Sequence, residues 1–195
     1  MAKQPDKIQP MEAPKSGPGA RGVMGGAIAA AVLIATPFIA KWEGKSNDPY
    51  FDLAHVQTVC FGETRVQMRR YTDAECNAML AKAVEGFARP VAASTPTIAN
   101  RPYQLAAASS FAYNVGNGAY QSSSARRLFL AGNFKAACQA FGAWNKATVS
   151  ATRARQLVAN GERCVRKPGG SYLCTIKGLT RRRAAETQLC LTGLN

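Results

Sequence analysis

Residues 42–64 have the sequence WEGKSNDPYFDLAHVQTVCFGET, in which three polar side chains follow one another at fixed intervals. Glu43, Asp52 and Thr58 give the pattern E-x8-D-x5-T. A carboxylic acid, a second carboxylate and a hydroxyl are groups that can cleave a glycosidic bond with a positioned water molecule. The stretch ends in T-V-C-F-G, which is typical of a short strand followed by a glycine turn. We therefore expect a hairpin that carries two of the three groups.

Each of the three residues has a predicted role. A general acid must stay protonated near neutral pH, which an apolar setting favours, and Glu43 has Trp42 beside it and an apolar run before it. We assign Glu43 as the acid. Asp52 would orient the water and stabilise the charge that develops on the sugar, and the Thr58 hydroxyl would hold the water. Taken singly, these could be a solvated glutamate, a turn former and a strand residue, so the assignment depends on their combined spacing.

The spacing and the strand and turn after it resemble the phage-type lysozymes, glycoside hydrolase family 24. The resemblance extends from Trp42 to Leu191, with further support from SSFAYNVGNGAYQSSSARRLFLAGNF and GLTRRRAAE. It implies a mixed α+β, lysozyme-like fold. A small β-hairpin lobe would carry Asp52 and Thr58, and a larger helical lobe would form the other wall of the cleft. It also implies hydrolysis of the β-1,4 bond between N-acetylmuramic acid and N-acetylglucosamine, with inversion and without a metal or organic cofactor.

Three further residues match, by position, residues that line the glycan cleft of that family: Thr64, Tyr113 and Ser123. The resemblance implies that they contact substrate. From the residues alone, Tyr113 fits a core position equally well, and Ser123 fits a helix cap.

The motif departs from the family pattern at three positions. His55 and Cys60 stand where glycine is usual, and Glu63 stands where histidine is common. Histidine tolerates the left-handed conformation better than most residues, so we expect the turn at His55 to survive. Cys60 fits a disulfide. We interpret Glu63 as one partner of a surface pair rather than as a catalytic group.

The motif is preceded by an uncharged run, VMGGAIAAAVLIATPFIA, from Val23 to Ala40. As a helix it would extend ~27 Å, just enough to cross a bilayer core. The run is weakly apolar, because glycines and alanines contribute little transfer energy. A cleaved signal peptide, a permanent membrane anchor and a buried core helix are alternatives. A run of this kind directly before Glu43 resembles a signal-anchor-release endolysin, a phage lysis enzyme that is first tethered to the inner membrane and later freed.

That resemblance divides the chain into a basic disordered tail (1–22), a signal-anchor-release helix (23–41) and a lysozyme catalytic domain (42–195). It implies transient contact with the host inner membrane through residues 23–40, with the C-terminal domain in the periplasm, and then release of a soluble enzyme. The run contains no cysteine, so release would act through position and refolding rather than through thiol exchange.

The composition is strongly basic, with a formal net charge of +14 over 195 residues. A chain of this length forms one domain, or one domain with an appendage. A basic surface attracts polyanions. No nucleic-acid-binding motif is present, so we interpret the run Arg181–Arg183 as a solvated face that favours anionic wall polymers. We expect a monomer that binds peptidoglycan and no nucleic acid.

Six cysteines are scattered along the chain: Cys60, Cys76, Cys138, Cys164, Cys174 and Cys190. No C-x-x-C pair occurs, so a zinc site is not expected. Three disulfides formed in an oxidising compartment are the favoured interpretation, over six free thiols in a cytosolic protein. A Pro-Gly-Gly turn favours Cys164–Cys174. The family resemblance suggests Cys60–Cys76 and Cys138–Cys190.

Helix signals organise the rest of the chain. Thr72 and Glu75 predict a capping box, and Pro90 is expected to stop or kink the helix that follows. A second helix should end at Gly116. Further helical patterns cover SSARRLFLAG and FKAACQAFGAWNKA, and residues 148–178 are polar and longer than the usual connection of the family. The chain should end in a basic amphipathic helix.

Two other functions remain open from the sequence. The first is a membrane-anchored, basic wall-binding or membrane-disrupting protein with an inactive cleft, which the departures at His55 and Glu63 permit. The second is a lytic transglycosylase that uses Glu43 alone and does not need Thr58.

Overall fold

The computed structural model describes residues 24–52 and 55–194. Within them the chain forms eight α-helices and five strands. The helices are α1 Met24–Ala40, α2 Asp73–Ser94, α3 Pro102–Val115, α4 Asn117–Ser122, α5 Ser124–Leu130, α6 Phe134–Gln139, α7 Ala151–Ala159 and α8 Lys177–Thr192. The strands are β1 Ser46–Phe51, β2 Gln57–Cys60, β3 Lys146–Val149, β4 Cys164–Arg166 and β5 Tyr172–Thr175. Short 3₁₀ turns occupy Pro96–Ile98 and Ala140–Ala143. The expected α+β fold with a small hairpin lobe and a larger helical lobe is confirmed.

The motif forms the expected hairpin. Strands β1 and β2 are antiparallel, with Tyr50 opposite Thr58. His55 and Cys60 both have φ 58°, and Gly62 has φ 112°. These are the positions where a left-handed conformation favours glycine, so the usual glycines are replaced here without a change of backbone region.

Helix α1 packs against α2 and α3. Its buried stripe is Ile28, Ala31, Ala35 and Ile39, at the three- and four-residue intervals of one helix face. Small alanines in this stripe let the helix backbones approach closely. Among the described residues, no helix is long and apolar enough to cross a membrane. The expected basic tail, residues 1–22, lies outside the described residues.

Helix α2 begins as predicted, and of the two outcomes expected at Pro90, a stop or a kink, the stop does not occur. The Thr72 hydroxyl accepts from the Glu75 backbone N–H at 3.2 Å, and the Glu75 carboxylate accepts from the Thr72 backbone N–H at 2.8 Å. Pro90 does not stop the helix, which continues to Ser94. Val91 and Ala92, in the turn that follows, are buried. Their packing outweighs the hydrogen bond that proline cannot donate.

The helical lobe is centred on α3. Phe111 is fully buried and meets the rings of Phe141 and Trp144 at centroid distances of 5.0 and 5.4 Å. Helix α3 ends at Gly116 with φ 89°, as predicted. The predicted long helix from Phe134 is shorter than expected. It passes into a 3₁₀ turn and then a strand, because Phe141 and Trp144 are drawn onto Phe111.

The polar stretch 148–178 is a small folded unit. Strands β3, β5 and β4 form a second antiparallel sheet in that order, and α7 packs on β4 and β5. The expected three disulfides are present, and their pairs are those named above. Cys60–Cys76 joins β2 to α2, Cys138–Cys190 joins α6 to α8, and Cys164–Cys174 joins β4 to β5.

Candidate active site

Glu43 lies in the turn that ends α1. The backbone N–H groups of Trp42 and Glu43 both donate to the Ile39 carbonyl, at 2.8 and 3.3 Å, so the turn continues directly from the helix. The position of the carboxyl therefore depends on how α1 is seated on the domain. Glu43 Oε1 accepts a hydrogen bond from Arg182 Nη1 at 2.8 Å, and the glutamate side chain is 21% exposed.

The prediction that Glu43 has apolar surroundings is correct only in part, because a charged side chain lies against its carboxylate. The preceding residue, Trp42, is partly buried, and its ring is tilted against that of Phe38 with centroids 6.4 Å apart. The guanidinium of Arg182, 6% exposed, lies against the Glu43 carboxylate. The contact between them is a single charge-assisted hydrogen bond from Arg182 Nη1. The glutamate carboxylate is thus held by a buried cation.

Arg182 belongs to a buried ionic network on α8. Glu186 is fully buried, and its carboxylate lies 3.3 Å from Arg182 Nε and 2.9 Å from Arg183 Nε. Ser110 donates to the same carboxylate at 2.8 Å, and Arg183 donates to Asn114 at 2.9 Å. Burial raises the pKa of Glu186 and lowers the pKa of Arg183 to about 10, while the opposite charges of the network counter both shifts.

The interpretation of Arg181–Arg183 as a solvated basic face is therefore wrong for two of its members. Arg182 and Arg183 are buried, and only Arg181 is exposed. The sequence does contain the signal for this arrangement. Arg182 and Arg183 precede Glu186 by four and three residues, which places all three on neighbouring positions of one helix surface. The pairing of Arg182 with Glu43, 139 residues away, has no such local signal.

Tyr113 is brought to the same region as Glu43. Burial raises the pKa of its phenol, the charges of Glu43 and Glu63 raise it further, and Arg182 opposes them. The tyrosine hydroxyl therefore lies within the electrostatic reach of all three groups. The ring packs on Phe87 with centroids 5.3 Å apart, so Tyr113 has a packing role and also lies in the field of the charged groups.

Glu63 does not form the expected surface pair. Its backbone N–H donates to the Val59 carbonyl, and the Val59 N–H donates back, each at 2.9 Å. Its carboxylate makes no ion pair with any residue in the described part of the chain, and burial raises its pKa. The next residue, Thr64, is exposed.

The side chains of Asp52 and Thr58 both form hydrogen bonds with the backbone of Val56. The Asp52 Oδ1 atom accepts from the Val56 N–H at 2.9 Å, and the Thr58 hydroxyl donates to the Val56 carbonyl at 3.0 Å. The two side chains are thus fixed at the end of the hairpin. Thr58 is only 2% exposed, so its hydroxyl is held in one place by the surrounding packing.

Ser123 serves as the cap of α5. Its hydroxyl donates to the Tyr120 carbonyl at 2.7 Å and accepts from the Arg126 N–H at 3.2 Å. Its contacts in the described residues are with α4 and α5 rather than with the residues around Glu43. The cap alternative for Ser123 is confirmed, and its contact with glycan stays a prediction.

The sequence of the chain is similar to a known family and to known phage proteins. Residues 40–186 match the sequence model of the family described as phage lysozyme. The chain is 33% identical over 183 residues to a SAR-endolysin of Enterobacteria phage PA-2, covering 89% of this chain and 93% of that protein. It is 34% identical over 181 residues to the SAR-endolysin of Enterobacteria phage P21, with 89% and 93% covered.

Solved structures show the same fold at lower identity. The active form of the P1 phage endolysin Lyz superposes with a TM-score of 0.59 at 22% identity, covering 91% of this chain and 98% of that one. An endolysin from Escherichia coli O157:H7 phage FAHEc1 gives a TM-score of 0.54 at 22% identity, with 83% and 90% covered.

Proposed function

The chain belongs to the phage lysozyme family, and on that premise we propose that it is an N-acetylmuramidase. It is a lytic endolysin that acts on peptidoglycan, with a lysozyme-type hydrolase fold. The bond cleaved is the β-1,4 bond between N-acetylmuramic acid and N-acetylglucosamine. The observation that carries this proposal is the Glu43 carboxyl, which is held by Arg182 at the end of α1.

Glu43 is the proposed general acid. In its protonated form it gives its proton to the glycosidic oxygen as the bond from that oxygen to the anomeric carbon breaks. Its support is geometric. The turn from Ile39 fixes its backbone, and the hydrogen bond from Arg182 Nη1 holds one oxygen of its carboxyl. A fixed acid needs no reorientation when the leaving oxygen arrives.

Asp52 and Thr58 hold the attacking water in this proposal. The water adds to the anomeric carbon on the face opposite the leaving group and transfers its proton to the Asp52 carboxylate, so the configuration inverts. The fixed end of the hairpin supports these roles, since both side chains are anchored on Val56. The Thr58 hydroxyl donates its proton to the chain and keeps acceptor capacity for the water.

Thr64 and Tyr113 are the proposed glycan contacts. Ser123 is a third proposed contact, with less support from the structure. The charges of Glu43 and Glu63 act on the Tyr113 phenol, and Thr64 follows Glu63 and is exposed. Tyr113 thus lies in the region of the proposed acid, and Thr64 lies in the turn that follows β2. Ser123 has its hydroxyl engaged in the α5 cap.

We also propose the domain division 1–22, 23–41 and 42–195, with residues 23–41 as a releasable membrane tether. The enzyme would be monomeric, first held at the host inner membrane and then soluble in the periplasm. Two facts support this: the named SAR-endolysin relatives and the seating of α1 on α2 and α3. Because Glu43 follows α1 directly, withdrawal of α1 into a bilayer would remove the acid from its Arg182 partner.

The test is mass spectrometry of purified peptidoglycan digested by the full chain, by its Glu43→Gln variant and by residues 42–195. We expect muropeptides with reducing N-acetylmuramic acid ends from the full chain only. Glu43→Gln should lower the rate by at least about 100-fold, because general acid catalysis contributes at least that much. The short chain should be inactive because α1 no longer positions Glu43.

Each alternative gives a different product. Anhydro-sugar ends would identify a lytic transglycosylase. Lysis that survives Glu43→Gln would contradict the catalytic assignment and favour a membrane-disrupting protein. Full activity of residues 42–195 would contradict the role of α1 in positioning the acid.

A further inference from the structure

Residues 146–176 form a small unit with its own core, which we call the basic lobe. It consists of β3, α7, β4 and β5. Its buried residues Val149, Ala154, Leu157 and Cys174 form a cluster separate from the main core. The disulfide Cys164–Cys174 joins β4 to β5 at a directly opposed position of the sheet. A lobe with its own apolar cluster and its own crosslink presents its surface in a fixed shape.

The charged side chains of the basic lobe are positive with one exception. It contains a single carboxylate, that of Glu162. Six of its residues are basic, and every one of them is exposed: Lys146, Arg153, Arg155, Arg163, Arg166 and Lys167. The lobe thus concentrates positive charge on about one sixth of the chain, where a polyanion would be attracted most strongly.

None of these six cations forms an ion pair with another described residue. The Glu162 carboxylate forms no ion pair with them among the described residues, and it accepts from the Lys177 backbone N–H at 2.8 Å, at the start of α8. The hairpin side of the molecule differs in part. Three of its cations pair with carboxylates: Lys45 with Asp73, Arg69 with Glu75, and Arg70 with Asp48. The charge of the basic lobe is therefore available to an external partner, while much of the charge near the hairpin is paired internally.

The basic lobe is connected directly to the helix that holds the proposed acid. Strand β5 passes through Ile176 into α8, and the Ile176 N–H donates to the Asn145 carbonyl at 2.8 Å. Asn145 also donates to the Thr180 hydroxyl at 3.3 Å. Arg182, the partner of Glu43, follows Ile176 by six residues, roughly 9 Å along a helix. The basic lobe and the residue that holds Glu43 are thus joined by less than two turns of one helix.

The exposed apolar groups of the basic lobe are too small for a membrane-inserting face. Only Val158 and Val165 are large, apolar and exposed among its residues. Interfacial segments that enter a lipid surface carry Trp, Phe or Leu on one continuous face. The basic lobe carries positive charges but lacks such an apolar face. It is therefore better suited to bind an anionic polymer in water than a bilayer.

We infer that the basic lobe is a second peptidoglycan-binding surface, which binds the carboxylates of the stem peptides while the cleft at Glu43 acts on the glycan strand. This inference rests on the proposed action on peptidoglycan. Its chemistry is that of multiple exposed ion pairs, each weak, between guanidinium or ammonium groups and peptide carboxylates. The lobe retains the enzyme on the wall between cleavage events.

The test measures binding to insoluble peptidoglycan in the full chain carrying Glu43→Gln, so that substrate is not consumed. The lobe variant adds Arg163→Gln, Arg166→Gln and Lys167→Gln. The control variant, with equal loss of charge, adds instead Lys82→Gln, Arg127→Gln and Lys135→Gln, which are exposed and outside the lobe. Three exposed charge contacts correspond to about tenfold in Kd. We expect that increase at low ionic strength for the lobe variant, and less than a twofold change for the control.

A second arm uses peptidoglycan whose carboxylates have been amidated, on which the difference between the two variants should vanish. Equal binding by the two variants would overturn the inference. A lobe variant that keeps peptidoglycan binding but loses binding to phosphatidylglycerol vesicles would overturn it in favour of a lipid surface. Thermal unfolding verifies that both variants fold. The catalytic assignment is tested separately by the product analysis above. Its failure would not alter the comparison between the lobe variant and the control variant, because both carry the same Glu43→Gln change.

Discussion

Arg182 illustrates how one residue can take a role that its neighbours in the sequence do not indicate. It stands in a run of three arginines, yet its guanidinium is buried between the carboxylates of Glu43 and Glu186. Burying a charge is costly unless it is paired, and here the pairing is provided by two carboxylates from opposite ends of the chain. The run predicts a basic surface, and the tertiary structure assigns two of its members to the interior.

Thr58 provides a test of the proposed water site at the scale of a single hydroxyl. Because the side chain is 2% exposed, Thr58→Val keeps its shape and removes only the hydroxyl. We expect kcat to fall by about 100-fold or more, as for loss of a group that positions the nucleophile. Thr58→Ser should retain most activity. The measurements are the activity of both variants on peptidoglycan and, as a check on folding, their thermal unfolding. Equal activity of Thr58→Val and Thr58→Ser would contradict a role of the Thr58 hydroxyl in the mechanism.

Glu75 gives a pH-dependent prediction. The hydrogen bond and charge of Arg69, and the hydrogen bonds of Thr72, lower its pKa to about 2. Since its unfolded value is about 4.3, its ionised form stabilises the fold above that pH, and this contribution is lost as pH falls towards 2. Glu75→Gln should therefore lower Tm at pH 7 and approach wild type near pH 2.

Glu85→Gln is the matched control for that experiment, because Glu85 pairs with Arg89 on the same helix without capping it. It should change Tm at pH 7 less than Glu75→Gln does. A Tm difference for Glu75→Gln that stays constant between pH 7 and pH 2.5 would contradict the assigned cause.

At the scale of elements, the hairpin and α2 follow from local signals. The strand pattern, the left-handed positions His55 and Cys60 and the Thr72–Glu75 capping box all act within a few residues. Pro90 is the exception, since the local rule predicts a stop or a kink, and the helix continues past it to Ser94. Strand β3 was not predicted because it pairs with β5 at separations of 23 to 29 residues, whereas β4 and β5 pair locally around the turn that the sequence indicates.

The three disulfides should differ in their contribution to stability according to the loops they close. In the loop-entropy description, Cys138–Cys190, with a separation of 52 residues, contributes about 4 kcal/mol, and Cys164–Cys174, with a separation of 10, about 2.7 kcal/mol. Chemical unfolding of the two paired Cys→Ser variants measures this difference. A larger loss for the Cys164 and Cys174 variant would contradict it, and would mean that the basic lobe depends more heavily on its crosslink.

At the scale of the whole molecule, the location of α1, in a membrane or on the domain, determines in this proposal where the acid Glu43 lies. It is buried through Ile28, Ala31, Ala35 and Ile39, and it ends three residues before Glu43. The proposed tether and the seated helix are the same segment, so the chain can satisfy only one of the two arrangements at a time. In this proposal, activity appears when the apolar stripe leaves lipid for α2 and α3.

Gly25 and Gly26 separate these two roles of α1. A Cβ added at either position meets no atom within 4 Å, so we expect Gly25→Leu with Gly26→Leu to leave the purified enzyme active. The same change strengthens an anchor, because each buried methylene contributes about 0.8 kcal/mol. We expect delayed lysis of cells that express it. Unchanged timing would contradict the weak-anchor proposal.

Ala31→Leu with Ala35→Leu is the contrasting variant, since it adds the same apolar groups at positions that are 0% exposed. Overpacking should cost about 1–3 kcal/mol at each site. The purified protein should lose stability and activity together, as measured by thermal unfolding and peptidoglycan hydrolysis.

The sequence by itself determined the hairpin, the helix boundaries set by caps and glycines, the three proposed catalytic groups and the family resemblance. These features depend on spacing and backbone preference, which act within a few residues. Only the tertiary structure decided that Arg182 holds Glu43, that the charges of Glu43 and Glu63 act on the Tyr113 phenol, and that residues 146–176 form a charged lobe. Those features arise where distant segments meet, and there burial and charge pairing outweigh local preference.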